Sequence, residues 1–152
     1  MPFYRYGALI GIVESFRLIP VISLIGAVVG IIASFMPWVH DVSGIDLYLS
    51  YEGFQAYVPF ITIVLSAVAL VFSILAIRST AYWYIPYLLF FFGVAIMVFD
   101  SIFAMWMIGD VKAASIASMG YWVTYVAGAL MILGGAIYHL AVLRRFGKAH
   151  NF

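Results

Sequence analysis

Asp100 is the only acidic residue deep inside an apolar run of this 152-residue chain. It lies about eight residues, or roughly 12 Å along a helix, from the C-terminal end of that run. A carboxylate facing lipid costs several kcal/mol, so its side chain is expected to point inward. The same depth along the other apolar runs falls at Gly30, Ser66 and Gly128, all small, so a modest gap should face the carboxyl. Ser66, Ser101 or Thr124 would then be in reach of it. Two roles stay open at this point. One is a proton or cation relay, or a polar contact to another subunit. The other is a hydrogen-bonded core residue that holds helices in register.

Other residue types invite metal or cofactor chemistry, and their spacing argues against it. Haem held by two histidines needs both imidazoles at one depth. His40 and His139 are expected near opposite membrane faces, and His150 lies in the basic tail. Met97, Met105, Met107 and Met119 suggest a copper(I) site, but Met105 and Met107 stand about 200° apart around a helix. Filling gaps in an apolar core accounts for them better. His40, Asp41, Asp46 and Glu52 share one loop, yet their spacing matches no metal-binding loop. Cysteine is absent, which excludes disulfides and thiol catalysis. There is no phosphate loop, nucleophile elbow or pair of catalytic carboxylates. The expectation is a protein that is not an enzyme, with no catalytic residue, no metal site and no cofactor.

Positioning Asp100 falls to apolar helices. Four stretches, roughly 18–37, 59–77, 83–108 and 120–143, each reach the 20 or so residues needed to cross a hydrocarbon core about 30 Å thick. Composition agrees, with 67% hydrophobic and 9% charged residues and a mean hydropathy of +1.17. A soluble domain this small has too much surface for its volume to hide so many apolar side chains. The first stretch exceeds the apolar core of about 7–15 residues in a signal peptide and lacks a small-x-small cleavage pattern, so it reads as a retained span. The fold class expected is all-α membrane: a single four-transmembrane-helix bundle over 1–152.

Charge sets its orientation. Arg5, Arg17, Arg78, Arg144, Arg145 and Lys148 fall on one side of such a bundle and only Lys112 on the other. That asymmetry places both termini in the cytoplasm of a multi-pass cell-membrane protein. A net charge of +1 argues against a nucleic-acid partner. Residues 2–17 mix aromatic, aliphatic and charged side chains, the pattern of an amphipathic helix on the inner surface.

Small residues recur every four positions at Gly26, Gly30 and Ser34, and again at Gly120, Thr124 and Gly128, with Gly135 two turns on. Such seams let helix backbones approach closely, inside the bundle or against a partner. Ser66, Ala69, Ser73 and Ala76 form a third stripe. Trp38, Trp83, Tyr121 and Trp122 cluster at span ends as headgroup-level anchors. In the first outer loop, Ile45, Leu47, Leu49 and Tyr51 alternate with polar residues between Gly44 and Gly53, which predicts a short β-like strand or hairpin. Trp38, Asp46, Tyr48, Tyr51, Glu52 and Phe54 are its candidate contact residues.

Phe35-Met36-Pro37-Trp38, Ser43-Gly44-Ile45-Asp46-Leu47 and Glu52-Gly53 resemble a pattern in small, uncharacterised four-helix integral membrane proteins of bacteria and archaea. Tyr51-Glu52-Gly53-Phe54 is similar to the start of the loop signature of the claudin and peripheral-myelin-protein group. Gln55 stands where that group has tryptophan, and both loop cysteines are missing. The resemblance implies inside termini, a β-rich first outer loop and contacts between membrane proteins or between cells. Together these observations lead to a non-catalytic membrane protein that acts through lateral helix association, as an accessory subunit or self-assembling scaffold. Its partners would be the lipid bilayer and other membrane proteins or copies of itself. The alternative is an oligomeric channel or transporter that uses Asp100 as an intramembrane polar site.

Overall fold

A computed structural model describes residues 18–39, 41–50, 53–78, 83–109 and 118–147. Along the chain run α1 (Pro20–Phe35), β1 (Pro37–Val39), β2 (Val42–Ser43), α2 (Gly44–Ser50), a 3-10 turn (Phe54–Tyr57), α3 (Val58–Arg78), α4 (Ile85–Gly109) and α5 (Met119–Gly147). Three of these, α3, α4 and α5, are long and apolar enough to cross a membrane. Helix α1 is apolar throughout but has 16 residues, about 24 Å of helix. Prolines set both of its ends. Pro20 sits in the first turn, where its missing N–H is harmless. Pro37 forces Met36 into extended geometry, and the Met36 N–H closes the helix on the Ala33 carbonyl at 3.1 Å.

Helix α5 lies between α1 and α4, and α3 packs against α1 and, less extensively, against α4. Small residues permit this closeness. A Cβ at Gly26 would stand 2.8 Å from the Ala127 carbonyl oxygen, and one at Gly135 would stand 2.6 Å from the Phe90 nitrogen. Both expected seams are thus filled within the chain. On α1, Gly26 faces α5, Gly30 meets Ser66 of α3 and Ala127 of α5, and Ser34 Oγ donates to the Gly30 carbonyl. On α5 the stripe divides: Gly120 abuts the carbonyls of Ala33 and Pro37, whereas Gly128 and Gly135 abut α4.

Polarity is reversed relative to a water-soluble core. Ser23, Ser34, Thr62, Ser66, Ser73, Asp100 and Thr124 are all fully buried. Large apolar side chains such as Ile32, Val71, Phe91, Val126 and Leu140 are exposed on the helix exteriors. Ser23, Ser34, Thr62 and Thr124 donate to nearby carbonyls, Thr62 to Val58 at 3.0 Å, whereas the buried Ser66 and Ser73 hydroxyls have no partner among the described residues.

The loop after α1 holds a small hairpin as expected, but not in the run expected to form it. Residues 45–50 belong to α2, and the two-stranded sheet lies just upstream, pairing Pro37 with Ser43 and Val39 with Val42. Ser43 explains the change. The Asp46 N–H donates to Ser43 Oγ at 3.1 Å while Ser43 Oγ donates to Asp46 Oδ2 at 2.6 Å. This reciprocal cap nucleates a helix where the apolar alternation alone favoured a strand. Gly44 and Leu47 then point inward, and Tyr48 stacks on Phe60 with ring centroids 4.7 Å apart. Trp38, expected as a surface contact and headgroup anchor, is instead fully buried, as Tyr121 nearly is. Residues 2–17 and 79–82, His40, Tyr51, Glu52, Lys112, Lys148, His150 and the Phe54 side chain lie outside the described residues.

Candidate functional site

Trp38 anchors the loop end of the molecule. Its indole Nε1 donates to the Ala33 carbonyl at 2.9 Å, a second donor to the acceptor that already takes the Met36 N–H at the C-terminus of α1. Its own carbonyl accepts the Ser118 N–H at 2.9 Å, which ties the start of α5 to β1. The ring packs edge-on against Phe103 of α4 at 5.4 Å and Tyr121 of α5 at 6.1 Å, and Phe103 and Tyr121 lie 5.8 Å apart. Leu47 and Val58 complete this buried aromatic plug.

Asp100 lies on the same helix as Phe103, nearer the middle of the bundle. It is completely buried, and neither carboxyl oxygen has a hydrogen-bond partner among the described residues. The surrounding hydroxyls are already committed. The Thr124 side chain stands beside the carboxyl, yet its hydroxyl donates to the Tyr121 carbonyl at 2.6 Å. Ser101 Oγ donates to the Met97 carbonyl at 2.7 Å. Having one proton, Ser101 can meet the Tyr125 hydroxyl at 3.0 Å only as acceptor, so Tyr125 donates. Tyr121 reaches the Asp100 backbone carbonyl at 3.4 Å and interacts with the Tyr125 side chain.

Of the expected polar set, then, Thr124 is brought to Asp100. Ser101 is turned toward α5, and Ser66 faces Gly30 with its own hydroxyl buried and unbonded. The expected gap is closed, because the carboxyl is enclosed on every side. Tyr121 and Tyr125 were missed as members of the site. Their spacing of four residues and the antiparallel run of α4 and α5 carried that signal, but a tyrosine near a span end also reads as an anchor.

Other candidates stay apart. The His139 ring lies 4.5 Å from Tyr87, far along α5 from Asp100, and its Nδ1 is buried without a partner. Met97 packs on Gly128, whereas Met105 and Met119 are exposed. Asp46 is exposed and engaged by Ser43. Among the described residues no three His, Cys, Asp or Glu side chains gather as a metal site would require. The arrangement therefore offers one acid group beside a cluster of hydroxyls under an aromatic cover. Against known protein families, curated proteins and solved structures, no match to this chain is found.

Proposed function

We propose that this chain is a multi-pass membrane protein that crosses the bilayer four times, with both termini in the cytoplasm. It acts without catalysis, by lateral association as an accessory subunit or self-assembling scaffold. The observation that carries this is the reversed polarity: hydroxyls and a carboxyl inside, large aliphatic and aromatic side chains outside. Such a surface is stable only against lipid or another apolar protein. Only 28%, 28% and 33% of the apolar windows of α3, α4 and α5 are covered by the rest of the chain, which leaves broad faces for both. Backbone contact between α1 and α5, and between α4 and α5, also leaves no width for a permeation path along those seams. A rigid unit with an apolar exterior suits a scaffold better than a pore.

In this reading the Trp38 end faces outward and Arg78 inward, as positive charge requires. Helix α1 is shorter than the hydrocarbon core, a mismatch that local thinning or tilt of its neighbours absorbs. The claudin-like layout enters as topology alone, with inside termini and a patterned first outer loop. Solubilisation in mild detergent followed by mass-resolved size exclusion is expected to yield an assembly larger than one chain. A clean monomer without partners would overturn the association. Orientation is tested separately in the natural cysteine-free background: an impermeant maleimide should label Leu49→Cys in intact cells, and Lys148→Cys only after permeabilisation. The opposite pattern would reverse the topology.

A further inference from the structure

We propose that the Arg78 end of the bundle holds an anionic phospholipid, its phosphate against Trp83, Tyr87 and His139. These side chains form one connected patch across α4 and α5. The Tyr87 ring lies 4.5 Å from His139 and 6.2 Å from Trp83. Each of the three carries an N–H or O–H donor, and no hydrogen bond among the described residues engages any of them. Trp83 and Tyr87 are exposed, at 64% and 50%. His139 is half-buried, with Nδ1 enclosed and without a partner among the described residues. A buried N–H without an acceptor is costlier than an open lone pair, so the lone pair belongs on Nδ1 and the proton on Nε2. Nε2 is not enclosed, and it presents the third donor outward.

Depth decides what these donors meet. His139 comes about 30 Å along α5 from Met119, and Tyr87 about 33 Å along α4 from Gly109. A hydrocarbon core is about 30 Å thick, so both residues fall where headgroup phosphates lie. Charge favours an anion there. Arg78 is exposed at the end of α3, and positions 144 and 145 of α5 are arginines, within about 9 Å of His139 along the axis. Among the described residues no acid lies at this end, since Asp100 stands about 20 Å along α4 from Tyr87. An apolar track continues the patch toward the membrane centre. Phe91, one turn on from Tyr87, is exposed, and Ala136, one turn before His139, is half-buried. A phosphate bearing acyl chains matches both parts, whereas free phosphate matches only the donors. The site rests on the membrane-spanning reading above and is independent of lateral association, because binding is counted per chain.

Native mass spectrometry of the full-length protein in detergent tests the site. The probes are dioleoyl phosphatidylglycerol, dioleoyl phosphatidylcholine, dioleoylglycerol and inorganic phosphate. Wild type should retain one phosphatidylglycerol per chain, at least about tenfold more tightly than the other three. Phosphatidylcholine shares the phosphate but turns a choline cation toward the arginines. Tyr87→Phe and His139→Phe keep a ring and remove one donor each. Either should weaken phosphatidylglycerol binding about tenfold, the loss of one hydrogen bond to a charged group. Trp122→Phe, the same kind of change in an exposed ring at the opposite end, should leave binding unchanged. Thermal midpoints of the three variants should stay near wild type, which separates a lost donor from a loosened fold. Equal retention in wild type, Tyr87→Phe and His139→Phe would overturn the site. So would dioleoylglycerol bound as tightly, which marks an apolar groove only, or inorganic phosphate bound as tightly, which marks an ion site without lipid.

Discussion

Replacing Gly93 by alanine tests whether backbone contact between α4 and α5 holds the molecule together. A Cβ there would stand 2.7 Å from the Gly128 oxygen and 2.8 Å from the Ile132 nitrogen, against the 3.4 Å at which ordinary contact begins. These are main-chain atoms and cannot rotate aside, so the helices must part or slide by about 0.7 Å. Overpacking of this kind costs about 1–3 kcal/mol. Alanine returns up to about 1 kcal/mol in helix propensity, so a net loss of about 1–2 kcal/mol is expected. Gly30→Ala is the control. Its nearest neighbour is the Ser66 side-chain hydroxyl, which can turn away, with Ala127 Cβ at 3.5 Å. Both variants would be unfolded thermally in mild detergent and followed by tryptophan fluorescence, to which the buried Trp38 contributes. Gly93→Ala should melt clearly below wild type and Gly30→Ala should fall between them. Equal losses, or a Gly93→Ala protein as stable as wild type, would refute backbone contact as the limiting feature.

Two further outcomes follow from the loop end. Trp38→Ala empties the centre of the aromatic plug and should cost about 3–5 kcal/mol in the same melt. Trp38→Phe keeps much of the packing but removes the indole donor to Ala33, and should lose about 1 kcal/mol. Ser43→Ala removes the cap of α2, so hydrogen exchange at the Ile45 and Asp46 amides should accelerate, with about 1 kcal/mol lost locally. Ser43→Thr should restore protection, and failure to do so would argue against the reciprocal cap.

Hydropathy located the long helices well because desolvation dominates there: runs expected over 59–77 and 83–108 appear as Val58–Arg78 and Ile85–Gly109. The first run came out shorter because Pro20 and Pro37 set its ends, and helices stop where geometry dictates rather than where apolar residues run out. Small-residue stripes on α1 and α5 were legible as packing surfaces. Which helix each glycine would meet was not, because the pairing of helices depends on tertiary geometry. The loop does carry a small hairpin, but it lies upstream of the run expected to form it, because the period-two alternation was given more weight than the Ser43–Asp46 spacing, a local helix-start signal. Asp100 was legible as an inward-facing group. Its companions were not, since Tyr121 and Trp38 have the same composition whether they mark an interface or fill a core.

Helix α1 rests most heavily on α5, which the ribosome delivers only after α3 and α4. Until α5 emerges, the face of α1 bearing Ser23, Gly26 and Ala27 has no permanent neighbour, and the Ala127 and Met131 backbones it needs do not yet exist. Assembly therefore cannot proceed as a stepwise accretion of finished hairpins. Nonsense truncation ahead of Met119 should leave α1 with its serine and glycine face bare, a target for quality-control proteases.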